Sequence, residues 1–185
     1  MLITAPTLRL RSIEWFLDRP AQINADLTAK RTIGTPLYGK WSARVDLATY
    51  ETEALFAPIR SFLVRCNGPV NTFNLPATVE AQNSNTGVTV DVTAAAGATQ
   101  MALDGASNLL AGDMVTVADQ LLQLVEDQAG GVIIFEPALR EEATAGASVE
   151  TANPYAVVHL AQSEVAWNVE PPARFSASFD VEEAF

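Results

Sequence analysis

Between about residues 88 and 152 the chain breaks into strand-sized pieces, and this cadence constrains the fold more than anything else in it. The pieces are "VTVDVTA", "TQMALDG", "DMVTVAD", "LLQLVED" and "GGVIIFEPAL", parted by Asp104-Gly105, Gly112-Asp113 and Gly130-Gly131. Alternating apolar residues flanked by turn formers read as short antiparallel strands. Residues 109–125 give the pattern in miniature: a Gly112-Asp113 turn, apolar Met114, Val115 and Val117, a corner at Ala118-Asp119-Gln120, then a second apolar run. A spacing of about ten residues fits a small β-barrel or a pair of packed hairpins.

The flanking sequence has a different texture. In "WSARVDL", Trp41, Ala43, Val45 and Leu47 share one face and Ser42, Arg44 and Asp46 the other, as a half-buried strand requires. "RFSASFDVEE" repeats this, with Phe175, Ala177, Phe179 and Val181 inward. "YAVVHLAQ" is another strand and "AQINADLTAK" a weaker one, while "IGTPLYGK" carries turn residues Gly34, Pro36 and Gly39. "SIEWFLDRP" is ambiguous, because Phe16 interrupts the alternation of Ile13, Trp15 and Leu17. One helix is expected over about residues 50–66, with Thr49 as N-cap, Glu51 and Glu53 in its first turn, and a stripe of Leu55, Phe56, Ile59, Phe62 and Leu63. "NGP" at 67–69 stops it, and Pro58 either kinks it or marks its true first turn.

The middle segment holds a single basic residue, Arg140, and this shift in composition marks it as a separate module. The last strand is needed to complete the core of the first 76 residues. The expected architecture is therefore mainly β: an outer domain of residues 1–76 plus 153–185, with an inserted small β domain at 77–152.

The chemistry-bearing residues are few. One cysteine, Cys66, and one histidine, His159, supply neither a disulfide nor a Cys/His zinc site. Cys66 reads as a small buried hydrophobe and His159, inside "AVVHLA", as a half-buried strand residue rather than a triad base. No G-x-S-x-G elbow is present, and "AAAGATQ" lacks the glycine and lysine pattern of a nucleotide loop. Acid pairs at Glu126-Asp127, Glu141-Glu142 and Glu182-Glu183 lack the oxygen spacing of a calcium loop and read as solvated turns. Trp15, Trp41, Trp167 and Tyr155 are candidates for sugar stacking, but the strand positions of Trp41 and Trp167 favour core packing. No catalytic, cofactor or metal residue is therefore assigned, and an enzyme is the least favoured class.

Charge adds a constraint. Residues 1–65 carry a net +3 and residues 66–185 a net −14, and so acidic a surface repels DNA phosphates instead of gripping them. The longest apolar runs, such as "VIIF", are too short to cross a bilayer, and no basic-then-apolar leader opens the chain, so synthesis and folding in a cytoplasm are expected.

The order of segments resembles one family. "WSARVDL", then a helix leading into "FLVRCNGPVNTFNLP", then "LLAGDMVTVADQLLQLVED", then "VIIFEPALRE…GASVE", and a closing "FSASFDVEEAF" resemble the distal tail proteins of long non-contractile bacteriophage tails. The most specific pieces are "RCNGPVNTFNL", the "AGD" hairpin entry at 111–115 and "EPALR" at 136–140. The resemblance implies a β-sandwich belt domain flanked by a helix and carrying a second, outward-pointing β domain. It also implies a virion protein assembled in the host cytoplasm as a ring, usually of six subunits. Such a ring joins the tail tube on one face to the baseplate hub on the other and lets DNA pass without specific binding. Strands near 10–30 and 175–182 are the expected pairing edges between subunits. The competing expectation is a host-carbohydrate-binding module, which needs solvent-facing aromatics on the middle barrel, where residues 90–152 offer only Phe135.

Overall fold

The computed structural model of the chain describes residues 1–19, 22–25, 31–34 and 39–184. In chain order its strands are β1 (Leu10–Asp18), β2 (Gln22–Ala25), β3 (Arg31–Gly34) and β4 (Lys40–Leu47), followed by helix α1 (Glu53–Cys66). Then come β5 (Thr72–Pro76), β6 (Thr89–Val90), β7 (Gln100–Asp104), β8 (Met114–Val117), β9 (Gln120–Leu124) and β10 (Val132–Glu136). The last are β11 (Val149–Glu150), β12 (Tyr155–Leu160), β13 (Trp167–Glu170) and β14 (Arg174–Glu183). The fold is mainly β with one α-helix and one nearly closed, barrel-like sheet, as the patterning implied. Of the weak strand expected over "AQINADLTAK", Gln22–Ala25 forms β2; residues 26–30, and Pro36 of the expected turn, lie outside the described residues.

The chain divides into two compact units, one of residues 1–16, 41–75 and 157–185, the other of 17–40 and 76–156. The first is built on a sheet of order β1-β4-β14-β12-β5, with β13 also pairing β14. Trp41, Ala43, Val45 and Leu47 of β4 are buried on one face. β14 runs antiparallel to β4, setting Phe179 opposite Val45 and Val181 opposite Ala43, so the two alternating patterns fall on the same side. On its other flank β14 pairs with β12 as far as Leu160 opposite Val181, and again with β13 from Trp167 opposite Ala177. Residues 161–166 thus stand opposite only 178–180, and the strand bulges out of the sheet between the two pairings.

α1 covers the buried face. Phe56 stacks on Phe175 of β14 with ring centroids 5.4 Å apart, and Phe62 meets Phe73 of β5 edge-on at 5.0 Å. The helix begins later than the sequence suggested. Tyr50 exchanges backbone hydrogen bonds with Phe175 at 2.8 and 2.9 Å, which holds residue 50 extended and excludes Thr49 as a cap. Thr52 takes that role, its hydroxyl accepting from the Leu55 amide at 3.4 Å. The buried face is Phe56, Ile59, Phe62, Leu63 and Cys66, whereas Leu55, expected in the stripe, is exposed. Pro58 lies inside the helix, so it leaves the Ala54 carbonyl without its usual i+4 donor. Asn67 closes the helix in the left-handed region at φ 51°. Gly68 follows at φ 61°, and a Cβ there would stand 2.9 Å from the Ser163 Cα, so only glycine fits beneath the bulge.

The second unit contains the sheet β11-β8-β9-β10-β7-β6. Its ends meet through Val149 N–H to the Val88 carbonyl, Val90 N–H to Ala147 and Gly146 N–H to Val90, at 2.8–2.9 Å, so the strands form a barrel rather than two separate hairpins. Val90, Leu103, Val115, Val117, Leu122, Leu124, Ile133 and Phe135 fill its core. The β8–β9 hairpin closes through Ala118 and Asp119 at φ 47° and 61°, with Val117 opposite Gln120; two left-handed residues in a two-residue loop are the I′ geometry that matches strand twist. The polar run "QNSNTG" is a strap. The Gln82 amide bonds both the N–H and the carbonyl of Met114 at 2.9 and 2.8 Å, and Asn83 bonds the Thr151 carbonyl at 2.9 Å.

Residues 17–40, 76 and 153–156 fall in the second unit, where the expected outer domain took 1–76 plus 153–185. The Arg140 guanidinium donates to the Gly39 carbonyl at 2.7 Å, and a Cβ on Gly39 would meet Leu17 at 2.8 Å and Pro137 at 3.1 Å. A glycine is what lets these chains approach so closely.

Candidate functional site

The residues that chemistry would need are dispersed. Cys66 is fully buried under α1, and burial pushes its thiol up to about 11, an effect that the nearby Arg65 charge only partly offsets; so protonated a thiol is a poor nucleophile at neutral pH. His159 lies half-buried on β12, in register with Glu182. Glu183 is fully buried and accepts from the Trp41 amide at 3.2 Å. Asp113 and Asp127 accept from the amides of Leu110 and Ala111 at 3.0 and 2.9 Å, as turn acids do. Glu126, Glu141 and Glu142 are exposed. Among the described residues no group of three or more His, Cys, Asp or Glu side chains is placed to hold a metal ion.

The aromatic candidates separate by environment. Trp41 is buried and meets Trp15 edge-on at 6.2 Å, consistent with core packing. Trp167 departs from that expectation: it is 39% exposed, and every residue of β13 is exposed. The cause is position, because β13 pairs only with the start of β14 among the described strands and leaves the path of the main sheet. The Tyr155 hydroxyl donates to Asp119 at 3.3 Å, and burial together with the Asp119 charge raises its pKa. Phe135, which carries the aromatic content of residues 90–152, is fully buried.

A cleft of about 490 Å³ opens between the 161–166 bulge and the polar face of β4 and β14. Three of its charged groups are engaged: Arg44 Nε bonds Asp180 at 3.2 Å, and Asp46 accepts from the Ser12 hydroxyl at 3.0 Å, while Glu164 also lines the cleft. The Ser12 hydroxyl thus donates to a carboxylate and not to a histidine base.

The two edges of the first unit's sheet differ. β1 ends the sheet, with β4 on one side and, among the described residues, no strand on the other. It is nine residues long and exposes Arg11, Glu14 and Phe16. The opposite end of the sheet is blunted: residues 1–3 bridge the start of β5 through Ile3 N–H to Thr72 at 2.8 Å and Thr72 N–H to Met1 at 3.0 Å. β5 ends at Pro76, which has no donor to offer. The expected edge at 175–182 is corrected, since β14 lies between β4 and β12 in the sheet's interior. Alternation alone does not separate a central strand from an edge strand when one face is buried in both. The ambiguous "SIEWFLDRP" is the edge, and its half-buried Ile13, Trp15 and Leu17 are the signal that located it.

No family model matches the chain, and no curated protein is significantly similar to it.

Proposed function

We propose that the chain is a non-catalytic structural subunit of a bacteriophage tail tip. In this reading it forms a ring of about six copies that joins the tail tube to the baseplate hub and lets DNA pass. The observation that carries the reading is the asymmetry of the sheet in the first unit. One edge is blunted by residues 1–3 and Pro76, while at the other the nine-residue β1 ends the sheet with, among the described residues, no strand beyond it. A terminal strand of this length is a template on which another chain can pair. A second support is electrostatic. Arg9 lies 5.7 Å over the Tyr50 ring and Arg44 pairs with Asp180, so two of the cations able to attract passing phosphates are already engaged, in a chain of net charge −11.

The competing reading, a barrel that stacks host carbohydrate, is disfavoured by the complete burial of Phe135. The test is to raise antibody against the purified chain and apply it, gold-labelled, to tailed particles from a culture that expresses it. Label at the tail end remote from the capsid is expected. Label along the shaft, or on no particle, would count against the assignment.

A further inference from the structure

Two exposed features of this chain, each within one compact unit, are both partly apolar and carry opposite charge. The first is a shallow groove of about 570 Å³ on the outer side of α1, lined by Ala57, Arg60, Ser61, Val64, Arg65 and Trp167. Its floor is apolar, with Val64 61% exposed beside the partly exposed Trp167. Arg60 is held by Glu53 at 2.6 Å, whereas Arg65 makes no ion pair among the described residues, so the groove carries one uncompensated positive charge. The second feature is a knob on the barrel where residues 109–113 lie against 124–128, tied by Gly112 N–H to Leu124 and Gln128 N–H to Leu109 at 2.8 and 2.9 Å. Leu110 and Val125 project there, 57% and 47% exposed. Asp113 and Asp127 are turned onto the backbone, which leaves Glu126 as the acid without a hydrogen bond or ion pair among the described residues. The surrounding segment 77–152 holds eleven acids and one base.

We infer that the groove of one copy receives the Leu110–Val125 knob of a second copy, with Arg65 facing the partner copy's Glu126. Apolar side chains on both surfaces leave water together, and a single charge pair fixes the register. Because the two surfaces differ, the contact is heterologous and propagates head to tail, closing into a ring where the rotation permits. The inference rests on the ring reading above and names its contact.

The test is the self-association constant of the full chain, measured by sedimentation equilibrium, for the wild type, Arg65→Glu, Glu126→Arg and the double variant. Each position is exposed, and unchanged thermal melting would verify that each variant folds. Each single reversal is expected to weaken association by about tenfold or more, and the double reversal to restore it. Single variants that associate like the wild type would overturn this contact and leave the ring to form through another surface, such as the β1 edge. A wild-type chain that stays monomeric at about 100 µM would also overturn it, while gold labelling of particles would still decide the ring reading by itself.

Discussion

Glu183 shows how one residue ties the end of the chain to its core. Its carboxylate is fully buried and accepts from the Trp41 amide, so truncation removes a hydrogen bond made inside the core, at about 2 kcal/mol. In urea unfolding, Glu183→Ala is expected to show that loss and Glu183→Gln, which keeps an acceptor, a smaller one; equal loss in both would assign the effect to charge instead. Cys66 gives a pH dependence at the same scale. Its thiol ionises near 9.0 when unfolded and near 11 when folded, so the folded state holds the proton more tightly. Its contribution, on the order of 2 kcal/mol, is present below about pH 9 and is lost as pH rises toward 11. Stability should therefore fall over that window, and Cys66→Ala should flatten the fall. A slope identical in the two proteins would refute the linkage.

At the scale of elements, the β8–β9 hairpin carries strain that can be removed. Ala118 sits at φ 47°, a region L-residues other than Asn, Asp and Gly seldom occupy. Ala118→Asn suits the first position of an I′ turn and is expected to raise stability by about 1 kcal/mol, read as a higher denaturation midpoint at unchanged slope. No gain would mean that the turn is held by its surroundings. Elements were legible in the sequence where a period met a buried face. β4 buries the residues its alternation named, β14 buries Phe175, Ala177 and Val181 but leaves Phe179 half-buried, and α1 buries Phe56, Ile59, Phe62 and Leu63. What failed was fixed by partners distant in sequence. Thr52 replaces Thr49 as cap because Tyr50 bridges Phe175, and Trp167 is exposed because β13 lies off the path of the main sheet, paired with the start of β14. β14 is interior because β4, more than a hundred residues earlier, pairs with it. Local pattern carries no record of such pairings.

At the scale of the whole molecule, the expected two-domain division and the two units of the structure differ most at residues 17–40, where Arg140 donates to the Gly39 carbonyl. The candidate interface was only partly legible: the edge near residues 10–18 was named, but the Arg65–Trp167 groove joins side chains about a hundred positions apart. The central claim concerns assembly, and ring closure tests it most directly. The measurement is the mass of the full chain by light scattering at about 10 µM, alone and mixed with isolated tail tubes, with negative-stain images of the same fractions. The account predicts closed rings of about six copies around a central hole, formed alone or on the tube end. Monomers in both samples, or open filaments that never close, would contradict it.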